Sequence, residues 1–272
     1  MHMQEFITQL GRIFSITIIR YIVVAGLFFL AFYRLFPARF AAAKIQARLA
    51  GRKDFLREIK YSTITSFIFA GFGMLVLFSP LTKHTLVYTK LDAYPIWWIP
   101  LSLLLSLIIH DTYFYWTHRI MHHRLIFRHA HLVHHKSTNP SPWASYSFHF
   151  LESIVEGSVL VLLSFILPMH PLTIFLFIVV GFIINAYGHL GYEIMPRGFR
   201  RSFLFEVLNT SVHHNLHHSK FKGNYGLYFR VWDRLCKTEH PDYVKEYDRV
   251  QERRFGQPQR EMTGTRPASL RA

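Results

Sequence analysis

Four stretches of this chain are too apolar and too long for the surface of a water-soluble protein. They are "SITIIRYIVVAGLFFLAFYRLF" (15 to 36), "YSTITSFIFAGFGMLVLFSPL" (61 to 81), "YPIWWIPLSLLLSLIIHDTYFYW" (94 to 116) and "SIVEGSVLVLLSFILPMHPLTIFLFIVVGFIINAYGHL" (153 to 190). Crossing a hydrocarbon layer about 30 Å thick takes about 20 apolar residues of helix. Each of the first three qualifies. The fourth is too long for one span, and Pro168 and Pro171 break it near its middle, because proline removes a helix donor. It reads as a helical hairpin, 153–168 and 171–190. Since 51% of the residues are hydrophobic and lie in these blocks, too few polar residues remain to cover them in water. The expected fold is all-α: a multi-pass transmembrane bundle of four spans or more, including the Pro-broken hairpin. Five spans, or four plus a shallow hairpin, both satisfy the pattern. The first run starts too late and is too long for an ordinary signal peptide, so it counts as a span.

Charge sets the expected orientation. The net charge is +15, and the basic residues lie between and after the apolar blocks rather than in one stripe. That placement favours membrane topology over nucleic-acid binding. Residues 37 to 60, "PARFAAAKIQARLAGRKDFLREIK", are densely basic, whereas 82 to 93, "TKHTLVYTKLDA", are not. Positive charge marks the cytosolic side. The third span then returns to the cytosol, and the C-terminal third stays there. The lone Cys236 rules out an internal disulfide and reads as a packing residue. One integral-membrane domain is expected over 1–250, with a polar, disordered tail at 251–272.

The third span runs straight into "HDTYFYWTHRIMHHRLIFRHAHLVHHKS". Histidines at i and i+4, or at i, i+3 and i+4, project from one helix face. His118 and His122 form HxxxH. His131, His134 and His135 form HxxHH, and His214, His217 and His218 repeat it, preceded by His213. Three such faces meeting would offer more nitrogen donors than the four that a tetrahedral zinc takes. The count points to two metals of higher coordination, from the set that imidazole suits: Fe, Zn, Cu and Ni. Asn185 and His189 share the i, i+4 spacing at the cytosolic end of the hairpin, and His149 enters its first helix; these join as further candidates. His110 and Asp111 close the third span, where Asp111 can fix the tautomer of a ligand imidazole. Glu152 and Glu193 either orient an imidazole or hold a surface pair, and Asp233 stabilises a turn. His2, His84, His170 and His240 are isolated, and His123 and His129 fall on the opposite faces. Trp143, Tyr146 and the aromatics at 113 to 116 are candidate walls of a substrate pocket.

On these residues the chain resembles the membrane-bound fatty acid hydroxylase/sterol desaturase superfamily. The matching pieces are "DTYFYWTHRIMHH", "HAHLVHHKSTNPSPWASYSFHFLES", "NAYGHLGYE", "HHNLHHSKFKGNYG" and "WDRLCKTEHPDY", covering roughly 105 to 245. The resemblance implies a helical membrane bundle with a cytosolic helical cap. That cap holds a non-haem di-iron centre on His118, His122, His131, His134, His135, His189, His214, His217 and His218. It implies O2-dependent hydroxylation or desaturation of C–H bonds in a membrane lipid such as a sterol or fatty acyl chain, with zinc able to substitute for iron in a purified sample. Asn185 stands where some members have another histidine, and Phe150 follows His149 where a proline is usual. The sequence carries no haem or flavin signature of its own, so electrons are expected from a separate reductase or a carrier such as cytochrome b5 or ferredoxin. The expected membrane is the bacterial inner membrane or the endoplasmic reticulum.

Two other classes compete. A histidine-rich metal transporter needs ionisable residues near the bilayer midplane, and the spans look nearly free of them. A zinc-dependent lipid hydrolase needs about three ligands and an open position for water, fewer than the imidazoles present.

Overall fold

The computed structural model describes residues 3–48 and 50–256. The first long helix, α1 (Met3–Phe29), continues through a π-helical turn, Leu30–Leu35. Helix α2 (Arg52–Phe78) and helix α3 (Trp98–Met121) follow. Two single turns, α4 (Phe127–Ala130) and α5 (Leu132–His135), come next. The hairpin is α6 (Phe150–Ile166) and α7 (Pro171–Gly188). Four shorter helices complete the described residues: α8 (Phe203–Val207), α9 (Ser211–Lys220), α10 (Val231–Leu235) and α11 (Tyr243–Phe255). Among the described residues there is no strand, only three isolated bridges.

By length and composition, Met3–Leu35, Arg52–Phe78 and Pro171–Gly188 are each apolar and long enough to cross a membrane. α3 and α6 pack into the same bundle: α6 lies against α2 and α3, and α3 lies against α7. Side chains from α2, α6 and α7, among them Val76, Leu163 and Phe177, form its largest buried apolar cluster. Ile19 and Ile22 on α1, Phe67 on α2, Leu104 on α3 and Phe175 on α7 point outward and stay exposed. Exposed apolar faces of this kind suit lipid rather than water.

Several helices begin earlier than hydropathy suggests. α1 takes in the residues from Met3 that precede the apolar run. α2 reaches back to Arg52, because the Gly51 N–H donates to Asp54 Oδ2 (3.0 Å) and closes the helix start. The hairpin break is as expected: Pro171 sits in the first turn of α7, where its missing N–H costs nothing. His170 is not idle, since its Nδ1 accepts the Leu172 N–H (3.1 Å) and caps the helix. The expected tail needs correcting at its start. α11 runs to Phe255 because Tyr243, Tyr247 and Val250 bury one face against Phe205, Val212 and Leu216. The rest of that expectation, 257–272, lies outside the described residues.

The bundle has two distinct ends. At one, the segment after α2 pairs with the hairpin turn: Leu86 N–H donates to Ser164 O (2.8 Å), Tyr88 N–H to Met169 O (3.1 Å), and Trp98 Nε1–H to Pro168 O (2.9 Å). At the other end lie the basic loop, α4, α5 and α8 to α11. There Ile45 N–H donates to Gly191 O (3.0 Å). Every histidine box is at this second end. One expectation fails inside the bundle: Glu58, Asp111, Glu152 and Glu156 are all buried there, so the helices are not free of ionisable groups. Hydropathy averages over a window and does not register a few inward-facing carboxylates.

Candidate metal centre

Each histidine box reaches the site by its own route. The last turns of α3 bring His118, and His122 caps that helix. The chain then reverses through α4 and α5, which carry His131, His134 and His135 back over the end of the bundle. α9 is started by Thr210, whose Oγ1 accepts the His213 N–H (3.3 Å). It is anchored by Glu193, which accepts the Val212 N–H (3.2 Å), the Met195 N–H (3.0 Å) and the Tyr187 hydroxyl (2.7 Å). Burial raises the Glu193 pKa, and these donors oppose the rise.

The rings gather into two groups. His118, His122, His131, His135 and His217 form one, and His134, His189, His214 and His218 the other; within each, the candidate ligand atoms lie within 4.8 Å of one another. In the first, the Nε2 atoms of His118 and His131 are 2.9 Å apart, and those of His135 and His217 are 3.0 Å apart. In the second, His189 Nε2 lies 3.0 Å from His214 Nε2 and 3.2 Å from His218 Nε2. The two HxxHH boxes are therefore split between the groups, with neighbouring residues of one box belonging to different groups.

The tautomers decide what these clusters can hold. A carbonyl oxygen has no proton, so a ring nitrogen bonded to one must be the donor. His118 Nδ1–H donates to Tyr225 O (2.9 Å), His217 Nδ1–H to Gly223 O (2.7 Å), and His189 Nδ1–H to Asn185 O (2.9 Å). His131 Nδ1–H donates to the buried Glu152 Oε1 (2.8 Å). A neutral ring held this way carries its lone pair on Nε2. Burial holds the His131, His134, His135, His214 and His218 pKa values well below the ordinary range, and like-charge repulsion between the rings adds to it. Burial also lowers the His217 pKa to about 4, although its bond to Gly223 O pulls the other way. Four buried rings are thus held with Nε2 unprotonated, and those of His118 and His131 face one another at contact distance. That arrangement is repulsive alone and favourable around a cation. The donor set is all nitrogen, which suits a borderline transition metal rather than Mg or Ca.

The supporting carbonyls are themselves held. Asp111 Oδ1 accepts the N–H groups of Leu227 (3.1 Å), Tyr228 (2.6 Å) and Phe229 (3.1 Å). Asp233 accepts those of Tyr225 (2.9 Å) and Gly226 (2.7 Å). Burial raises the Asp233 pKa against these bonds. Together the two carboxylates pin the loop whose Tyr225 carbonyl orients His118. Gly223, at φ +79°, lies where a Cβ would meet Thr238 O at 2.5 Å, so glycine alone fits beside the carbonyl that orients His217.

The remaining candidates stand apart from the two groups. His149 Nδ1 accepts the Leu151 N–H (3.3 Å) and caps α6 instead of facing the centre. His213 is sealed against Tyr243, with its Nε2 4.0 Å from Asp233 Oδ2. Asn185 gives its side-chain N–H to Ser145 O (2.8 Å) and serves His189 through its backbone carbonyl. His110 lies deeper in α3, with Nδ1 2.9 Å from the Tyr228 hydroxyl and Nε2 3.9 Å from Glu156 Oε2. Glu156 and Tyr228 carry no motif in the sequence, and only the packing of α3 against α6 and the 224–229 loop brings them together.

An apolar cavity of about 260 Å³ opens against His131, His134, His189 and His214 and runs through the bundle toward Leu77 and Pro171. Tyr146 lines it, as do Phe114 and Phe148. Trp143 does not: its ring is turned the other way, packed on Tyr21 and Phe29 and close over Gly26.

The fatty acid hydroxylase family model matches residues 103–238, which contain every imidazole of both groups. A Delta(7)-sterol 5(6)-desaturase of Gibberella zeae is 34% identical over 170 residues, covering 62% of this chain and 50% of that protein. A lathosterol oxidase of Rattus norvegicus is 32% identical over 189 residues, covering 68% and 61% respectively. A Delta(7)-sterol 5(6)-desaturase of Schizosaccharomyces pombe is 30% identical over 177 residues, covering 62% and 51%. The chain thus spans about half to three-fifths of the length of these relatives. No solved structure matches it.

Proposed function

The chain belongs to the fatty acid hydroxylase family, and on that premise we propose that it is a membrane-embedded oxidoreductase that uses O2 to hydroxylate or desaturate a C–H bond of a membrane lipid such as a sterol or fatty acyl chain. The observation that carries this reading is the convergence of two groups of buried imidazole rings at the mouth of an apolar cavity. Two iron ions fit these donors, five imidazoles for one and four for the other. When bound, they would activate O2, the oxidant that an unactivated C–H bond requires.

The rest falls to the chain's own residues. The carbonyls of Tyr225, Gly223 and Asn185 and the carboxylate of Glu152 hold the Nδ1 protons, so that each Nε2 stays available. Phe114, Phe148 and Phe177 wall the cavity and exclude water, which orients an apolar chain and prevents side reactions. The basic end of the bundle faces the cytosol on the positive-inside rule. There it attracts an acidic electron carrier such as cytochrome b5 or ferredoxin. Burial of both nitrogen groups fits a resident metal better than a transported one, which needs a path by which to leave.

The direct test is O2 consumption by purified, iron-loaded protein with a reductase and carrier, followed by mass analysis of added lipids. A lipid gaining 16 mass units or losing two hydrogens is expected. O2 uptake with no lipid changed by fully iron-loaded protein would contradict the reading.

A further inference from the structure

The cavity wall holds one arginine, which the metal centre does not use. Arg20 lies on α1 and lines the cavity. A guanidinium stays protonated in any protein environment. Its Nε–H is sealed from solvent and has no hydrogen-bond partner. None of the arginine–carboxylate pairs among the described residues includes it. Its guanidinium carbon sits 6.0 Å from the centre of the Phe182 ring. That contact offers a weak cation–π attraction, not a counter-charge.

Its depth makes this unusual. Phe182 is eleven residues into α7 from Pro171 and seven short of His189. At 1.5 Å per residue, the guanidinium is about 16 Å from the far end of the helix and about 10 Å from the level of His189. A cation at such a depth is costly and is kept where it faces a cavity or a partner. Of the carboxylates along the same cavity, Glu152 Oε1 is bonded to His131 and Glu156 lies 3.9 Å from His110 Nε2, and neither pairs with Arg20.

We propose that Arg20 is the anchor for an anionic lipid head, and that the cavity takes a single-chain lipid carboxylate, a fatty acid, in preference to a neutral sterol. The planar guanidinium matches a carboxylate with two parallel N–H···O bonds. The cavity, about 260 Å³, lies just below the roughly 300–1,000 Å³ range for ligand sites, which suits one chain and not a two-chain phospholipid. With the carboxylate at Arg20, the chain passes the histidines about 10 Å away, so the carbon that reacts is remote from the head and not adjacent to it.

This rests on reading the cavity as the substrate site, and it is tested by binding rather than by turnover. Full-length protein in detergent is titrated with palmitate, with methyl palmitate and with cholesterol. Wild type is expected to bind palmitate about 10- to 100-fold more tightly than the methyl ester, the range set by loss of a charge-assisted pair. Arg20→Leu is expected to lose that preference while keeping its metal content and its affinity for the ester; Arg20→Lys is expected to retain part of it. Equal affinity of wild type for acid and ester, tighter binding of cholesterol than palmitate, or undiminished palmitate binding by Arg20→Leu would overturn the proposal. The wild-type comparison needs no variant to fold. If palmitate binds as expected and no lipid is ever oxidised, the anchor stands and the oxidoreductase reading fails.

Discussion

Glu152 Oε1 lies 2.8 Å from Nδ1 of His131, and both side chains are sealed from solvent. The pair links α6, inside the bundle, to an imidazole of the five-ring group. It fixes the proton on Nδ1 and aims Nε2 at His118. Removing the carboxylate in Glu152→Ala is expected to lower metal affinity about 10- to 100-fold, the usual cost of losing a partner to a ligand histidine. Glu152→Gln keeps an acceptor and is expected to fall between the two. Competition with a chelator of known affinity measures the difference.

Asp111 holds three consecutive backbone N–H groups from the far side of the fold. In Asp111→Ala these donors stay buried without an acceptor. The expected loss is about 3 kcal/mol of stability or more, seen as a lower unfolding temperature in detergent. Because the same loop carries the Tyr225 carbonyl, metal content is expected to fall as well.

Gly223→Ala places a Cβ against Thr238 O at a positive φ. The strain is expected to move the carbonyl that orients His217 and to cost about 1 to 3 kcal/mol. A variant with wild-type unfolding temperature and metal content would show that this carbonyl does not set the ring.

Metal-free protein is expected to lose stability on acidification. In the folded state His217 titrates at about 4, against about 6.5 when unfolded. Between those values the unfolded chain binds the proton and the folded chain does not, so stability falls as pH drops from 6.5 toward 4. The other depressed histidines act in the same direction. Bound metal adds to the effect, because protons compete for the same nitrogens. Unfolding temperatures at pH 7.5 and 5, with and without chelator, separate the two contributions.

The spans and the histidine boxes were legible because each leaves a local periodic mark. Pro171 announces the hairpin, and the i, i+3, i+4 spacings announce the imidazole faces. The partition was not legible: His134 and His135 are neighbours in sequence yet serve different groups, since α5 is one turn that passes between both. Nor did spacing find Glu152 as the partner of His131, because that contact joins α6 to the α4–α5 junction. His149 looked like a ligand by composition and proves to be a helix cap, which a histidine before a helix start can always become. The depth of Arg20 was not legible either, because it follows only from packing against Phe182.

The central claim is that these nine imidazoles hold two cations. Metal analysis of protein purified without chelator and reconstituted anaerobically with ferrous iron tests it most directly. Two irons per chain are expected in wild type, and one in each of the double variants His131→Ala/His217→Ala and His214→Ala/His218→Ala, which disable separate groups. A folded wild-type protein that retains no more than a trace of metal, or variants of either group that leave the stoichiometry at two, would contradict it.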